Sequence, residues 1–116
     1  MDKITDEKLL SILTEMIELL HKVYKEQLKA VILYGSVARG TQRDDSDIDI
    51  LILIDAPAQE LREYDEKLTD VSTDLALKYL KVFSIIDVAY QEYMDWKEVS
   101  PFYKNIEQEG VVLYAA

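Results

Sequence analysis

Cysteine is absent from the 116 residues, which excludes disulfides and thiolate metal sites and fits a reducing cytoplasm. Positive charge is scarce as well. Thirteen lysines and arginines face 23 aspartates and glutamates, a net charge of −10. So acidic a surface repels a long phosphate backbone and excludes general nucleic-acid binding. Small polyanions stay admissible, because metal ions can carry them in. No strictly apolar run approaches a membrane span. The opening Met-Asp-Lys-Ile-Thr-Asp-Glu has no basic start followed by an apolar core, so it does not read as a signal peptide. Repeats, linkers and low-complexity segments are missing too. The expectation is one small domain over 1–116, with 49% hydrophobic residues for a core and no room for a second, substrate-binding domain.

Apolar spacing divides the chain. Leu9, Ile12, Leu13, Met16, Ile17, Leu20, Val23 and Tyr24 recur at helical intervals, which predicts a helix over Thr5–Gln27, capped by Thr5 or Asp6. His21, the single histidine, falls beside that stripe and reads as a surface or boundary residue. Leu28–Tyr34 reads as a strand. Ile48–Ile54 is a near-continuous β-branched and leucine run, as in a strand covered on both faces. A second helix is expected over Ala58–Leu80 and a third strand over Val82–Tyr90. A helical turn at Tyr93–Lys97, a helix from Ser100-Pro101 to about Gln108 and a short strand at Val111–Tyr114 complete the order. The fold class is therefore α/β (α+β): a small mixed sheet with helices packed against it.

Asp47 and Asp49 flank Ile48 where the second strand begins. Side chains alternate along a strand, so the two carboxylates share a face. Their charges repel and raise each other's pKa, and a divalent cation relieves this. Asp87 stands inside Phe83-Ser84-Ile85-Ile86-Asp87-Val88-Ala89, a strand that otherwise reads as core. An unpaired ionised carboxylate there costs several kcal/mol or takes up a proton. Two readings stand: a salt bridge to a helix lysine or arginine, or a third metal ligand beside Asp47 and Asp49.

Two of the three glycines, Gly35 and Gly40, precede this pair. Tyr34 ends a strand, Gly35-Ser36 turns, and Val37-Ala38-Arg39 has the makings of a first helical turn. Such a start aims free N–H groups at one point and favours an anion. Gly35 admits a phosphate closely, Ser36 adds a hydroxyl and Arg39 a positive charge. The glycine spacing is that of a P-loop, but Thr41-Gln42 follows instead of Lys-Ser or Lys-Thr, so a P-loop is rejected. Together, a phosphate-cradling turn and three carboxylates are what two-metal phosphoryl or nucleotidyl transfer requires.

Gly35-Ser36, ten residues, then Asp47-Ile48-Asp49 resembles the G-S-x10-D-x-D signature of the DNA-polymerase-β-like nucleotidyltransferase superfamily. The local form, Gly35 to Gly40 and then Ser46 to Asp49, resembles its minimal branch, the MNT domains. The likeness extends over nearly the whole chain, to the closing Glu109-Gly110-Val111-Val112-Leu113-Tyr114. It implies a nucleotidyltransferase fold, ATP as substrate and two Mg²⁺ ions. By the same resemblance Gly35 and Ser36 hold the phosphates, Arg39 approaches them, Asp47 and Asp49 bind both ions, and Asp87 is the third, catalytic carboxylate.

Stand-alone MNT proteins resemble the antitoxin half of HEPN/MNT toxin–antitoxin pairs. The implied reaction is AMPylation, the transfer of AMP to a tyrosine of a HEPN ribonuclease toxin. A homo- or hetero-oligomer fits that role, and an acidic surface suits a basic partner. Two alternatives are an MNT fold that neutralises its toxin by contact alone and a transferase acting on a small molecule such as an antibiotic. Tyr90, Tyr93 and Tyr103 read as core or interface residues or as sites of self-modification, and Trp96 and Phe102 are candidates to join them in a partner-binding patch.

Overall fold

The computed structural model describes residues 4–43 and 46–116. The first three residues of the N-terminal reading therefore lie outside the described residues. Helix α1 (Glu7–Tyr24) begins at Asp6, whose carboxylate accepts from the N–H groups of Lys8 at 2.9 Å and Leu9 at 3.1 Å. The cap satisfies donors that the first helical turn leaves free. One face buries Ile12, Leu13, Met16, Leu20 and Tyr24. The helix stops short of the expected Gln27. Lys25 turns to φ 52°, and Lys25–Gln27 forms a 3-10 turn.

Strands β1 (Leu28–Tyr34) and β2 (Ile48–Ile54) take the expected bounds. Between them Gly35–Arg39 closes a short helix, α2. The segment expected as one helix divides into a 3-10 stretch, Ala58–Tyr64, and α3 (Asp65–Tyr79). Then come β3 (Phe83–Ala89), α4 (Tyr90–Trp96), α5 (Pro101–Glu109) and β4 (Val111–Ala115). The Ser100 hydroxyl caps α5 by accepting from the Tyr103 N–H at 3.3 Å.

The sheet order is β3-β2-β1-β4. β1 runs antiparallel to β2 and β4, while β2 and β3 are parallel. A parallel pair needs a crossover, and α3 supplies it. Both faces of β2 are covered, which explains its unbroken apolar sequence. Ile48, Ile50, Ile52 and Ile54 enter the main core with α1 and α3. Leu51 and Leu53 enter a second core with Ile32, Val88, Tyr93 and Ile106. Tyr93 and Ile106 bring α4 and α5 onto that face over Leu51 and Leu53. Among the described residues, no helix is long and apolar enough to cross a membrane.

The register corrects the expectation for Asp87. It pairs with Ile52, and partners in a parallel register share a face. Asp87 therefore lies on the isoleucine face, opposite the face that carries Asp49. None of the described ion pairs includes it either, so the salt-bridge reading also fails. Its Oδ2 and the Tyr24 hydroxyl are both buried without a protein hydrogen-bond partner. Burial pushes the Asp87 carboxyl above its ordinary value, its own backbone N–H holds it partly down, and nearby Asp65 adds to the rise.

A raised folded-state pKa means that the fold disfavours the ionised form, so stability is lost as pH rises from the ordinary carboxylate range. Asp87→Asn should then melt a few degrees above the wild type at pH 7. The gap should shrink as pH falls towards 4, roughly the unperturbed carboxyl pKa. Thermal scans across that range give the answer, and a lower melting point at neutral pH would refute the unpaired-carboxylate account.

Candidate active site

The site forms where β1 ends and β2 begins. Tyr34 pairs with Asp49 across the two strands, so the turn after Tyr34 lies directly over the acidic pair. Gly35 takes φ +76°, and a Cβ built there collides with Asp49 Oδ2. Glycine is needed both for the backbone angle and for the approach. Gly40 caps α2 at φ +74°, with its N–H donating to the carbonyls of Ser36 and Val37. The Thr41 N–H also donates to the Ser36 carbonyl, at 3.0 Å. No described hydrogen bond uses the Ser36 hydroxyl, which stays available to a ligand.

Asp47 is exposed and Asp49 half-buried. Burial pushes the Asp49 carboxyl up, the charge of Asp47 pushes it further, and Arg39 opposes both. Arg39 is itself held 3.3 Å from Glu109, at the end of α5. Gly110 fixes that end. A Cβ there would come within 2.8 Å of Ile32 Cγ2 and 2.5 Å of the Ile106 carbonyl, so only glycine lets the chain turn from α5 into β4. On the other side of Asp49, β3 brings Ser84 beside it and Ile86 beside Leu51, both on the Asp49 face.

The structure thus gathers Gly35, Ser36, Arg39, Asp47 and Asp49, and it leaves Asp87 on the far side of the sheet. Among the described residues no three metal-ligating side chains come together. Two same-face carboxylates still fit a hard divalent cation. Asp47 and Asp49 repel each other, and Mg²⁺ is commonly bound by one or two carboxylates, substrate phosphates and water.

The expected C-terminal aromatic patch divides. Tyr93 is buried, with its ring 4.9 Å from that of Tyr103, and both belong to the second core. Trp96 lies at the opposite end of the sheet, in a groove with Pro57 and Ala58. Phe102 instead meets Tyr34 edge to face, ring centroids 5.5 Å apart, beside the site.

Sequence reasoning missed Tyr34, Ser84 and Glu109, and it grouped Phe102 with the C-terminal aromatics rather than with Tyr34. Tyr34 was discoverable, since alternation with Ile32 puts it on the site face. Glu109 was not, because 70 residues separate it from Arg39 and no local pattern joins them.

Replacing Gly35 by alanine should lower stability by more than ~1 kcal/mol, through the positive φ and the collision with Asp49. Urea unfolding measures this, and an unchanged midpoint would mean the close approach imposes no constraint.

A family model described as a nucleotidyltransferase domain matches residues 13–113. A candidate protein adenylyltransferase of Methanocaldococcus jannaschii is 38% identical over 100 residues, covering 86% of this chain and 92% of its own. A second from that organism is 36% identical over 80 residues, covering 61% and 80%. Among solved structures, a toxin–antitoxin complex with AMP-PNP aligns at a TM-score of 0.59 with 20% identity, over 89% of this chain and 73% of that one. An MNT antitoxin in complex with a tri-AMPylated HEPN toxin of Shewanella oneidensis aligns at 0.57 with 16% identity, over 92% and 72%. These two likenesses bear on the fold. The family match and the sequence relatives show that the chain belongs to the nucleotidyltransferase domain family.

Proposed function

We propose that this chain transfers AMP from ATP to a tyrosine hydroxyl of a HEPN toxin and acts as its antitoxin. The observation that carries the proposal is the pair Asp47 and Asp49 on one open face, tight against Gly35 and opposed by Arg39. The relatives named as candidate protein adenylyltransferases support a protein acceptor. The aligned complex with a tri-AMPylated HEPN toxin supports the choice of partner.

Gly35 lets the Asp49 carboxylate sit against the turn that holds the triphosphate, and the Ser36 hydroxyl donates to a phosphate oxygen. Arg39 is a bidentate-capable donor at the same end and draws negative charge towards α2. Asp47 and Asp49 would hold Mg²⁺, which supplies charge neutralisation of the triphosphate. Half-burial of Asp49 strengthens each of these electrostatic contacts.

Intact-mass spectrometry of the protein encoded beside this chain, after incubation with the chain, ATP and Mg²⁺, tests the proposal. A gain of one or more AMP units is expected. Asp47→Asn with Asp49→Asn should reduce transfer on the order of 10³-fold or more, the scale of losing metal-assisted charge stabilisation. Asp87→Asn should leave transfer near wild type, because its side chain faces the other way.

One observation favours a second reading, neutralisation by binding alone. Only two carboxylates meet at the site among the described residues. That reading prevails if a stable complex forms without any mass gain and the double variant still silences the toxin.

A further inference from the structure

This inference rests on the AMP-transfer reading and concerns where the acceptor binds. In-line displacement places the attacking and leaving oxygens on opposite sides of the α-phosphorus. The phosphate-holding groups Gly35, Ser36 and Arg39 all lie on the β1–α2 side of Asp49. The pyrophosphate therefore departs towards α2, and the attacking hydroxyl must arrive from the β3 side.

On that side β3 ends the sheet. The Ile48 N–H donates to the Val82 carbonyl at 2.9 Å, so the even-numbered residues of β3 turn their backbone groups towards β2. Phe83, Ile85 and Asp87 then direct theirs outwards; the Asp87 N–H is engaged by its own carboxylate, while no described backbone hydrogen bond outside the sheet engages Phe83 or Ile85. Exposed edges are ordinarily blunted by lysine, proline or a bulge. From Phe83 to Ala89 there is neither lysine nor proline, the pairing with β2 is regular throughout, and the strand's one charge, Asp87, guards only its far end, three residues beyond Ser84. Ile86, 39% exposed, stands beside Leu51 on the Asp49 face of the same strand.

We propose that an extended segment of the acceptor protein adds as a strand along the outer edge of β3, with Ile86 as its apolar anchor. Its tyrosine, opposite Ser84, leans across that small side chain towards Asp49. The added strand lies two strand spacings from β2, about 9.6 Å. Tyrosine carries its hydroxyl at the tip of a ring long enough to span most of that gap, whereas serine and threonine fall well short. Ser84 leaves the passage open, and a larger residue there would close it.

In the reaction the phenolic oxygen bonds to the α-phosphorus and the α–β anhydride bond breaks. Pyrophosphate leaves towards Arg39, and the phenolic proton passes to solvent over the open face. Asp47 and Asp49 beside the passage, with the net charge of −10, favour a basic segment. Main-chain pairing gives the affinity, and the Ser84 gap gives the specificity.

The test uses the full chain, ¹⁵N-labelled and saturated with Mg²⁺ and AMP-PNP. The probe is a seven-residue peptide of alternating lysine and valine with a central tyrosine. Amide shifts at Phe83 and Ile85 are expected, together with a loss of affinity of roughly tenfold or more on N-methylation of the peptide's alternate amides. Shifts confined to other elements, or none, would overturn the docking edge.

In parallel, Ser84→Phe should cut AMP transfer to the partner protein at least tenfold while nucleotide affinity stays within twofold. Equal transfer by the variant would overturn the passage over Ser84. If AMP-PNP itself leaves Gly35, Ser36 and Asp49 unshifted, the AMP-transfer reading fails, and the acceptor edge fails with it for that separate reason.

Discussion

The tip of the Asp49 carboxylate stands where any residue but glycine would put its β-carbon at position 35, a position already at positive φ. The rest of the molecule is arranged around that contact. It requires β1 and β2 to pair in one register, with Tyr34 opposite Asp49. A shift by a single residue would turn Asp49 into the isoleucine core and an isoleucine out to water. The register is strongly specified because each isoleucine of β2, fully buried, contributes about 1.5–3 kcal/mol by its removal from water. The hydrophobic face of β2 thus sets the position of its acidic face.

The same strand explains why the site is open at one end and closed at the other. Leu51 and Leu53 draw α4 and α5 onto their half of the face through Tyr93 and Ile106. Two residues along the strand from Leu51, Asp49 offers nothing apolar to cover, and α5 packs instead on its cross-strand neighbour, Phe102 against Tyr34. What remains is a shelf bounded by Tyr34 and Phe102 on one side and by β3 on the other. Electrostatics follows the same division. Arg39 is the positive group acting on Asp49, and it is shared with Glu109.

Local pattern made β1, β2, the α1 cap region and the glycine turn legible, because periodicity and turn chemistry act within a few residues. The pairing of Asp47 with Asp49 was legible for the same reason. Asp87 was not, because a strand's own alternation says which of its residues share a face but not which face of the sheet that is. The β2–β3 register decides it, and the register depends on how α3 packs across both strands. The split of the 58–80 helix had no clear periodic signal, since its apolar residues step by three and four through both halves. The partnership of Arg39 with Glu109 is a purely tertiary fact.

Glu109 and Gly110 stand some seventy residues beyond Arg39 in sequence, and β4 behind them supplies the outer neighbour of β1. Without that segment β1 is a bare edge on this side and Arg39 loses the carboxylate that holds it. The nucleotide end of the shelf therefore depends on a distant stretch of chain as well as on its own turn. A proteolytic cut between α5 and β4 would loosen the site without touching any residue that lines it.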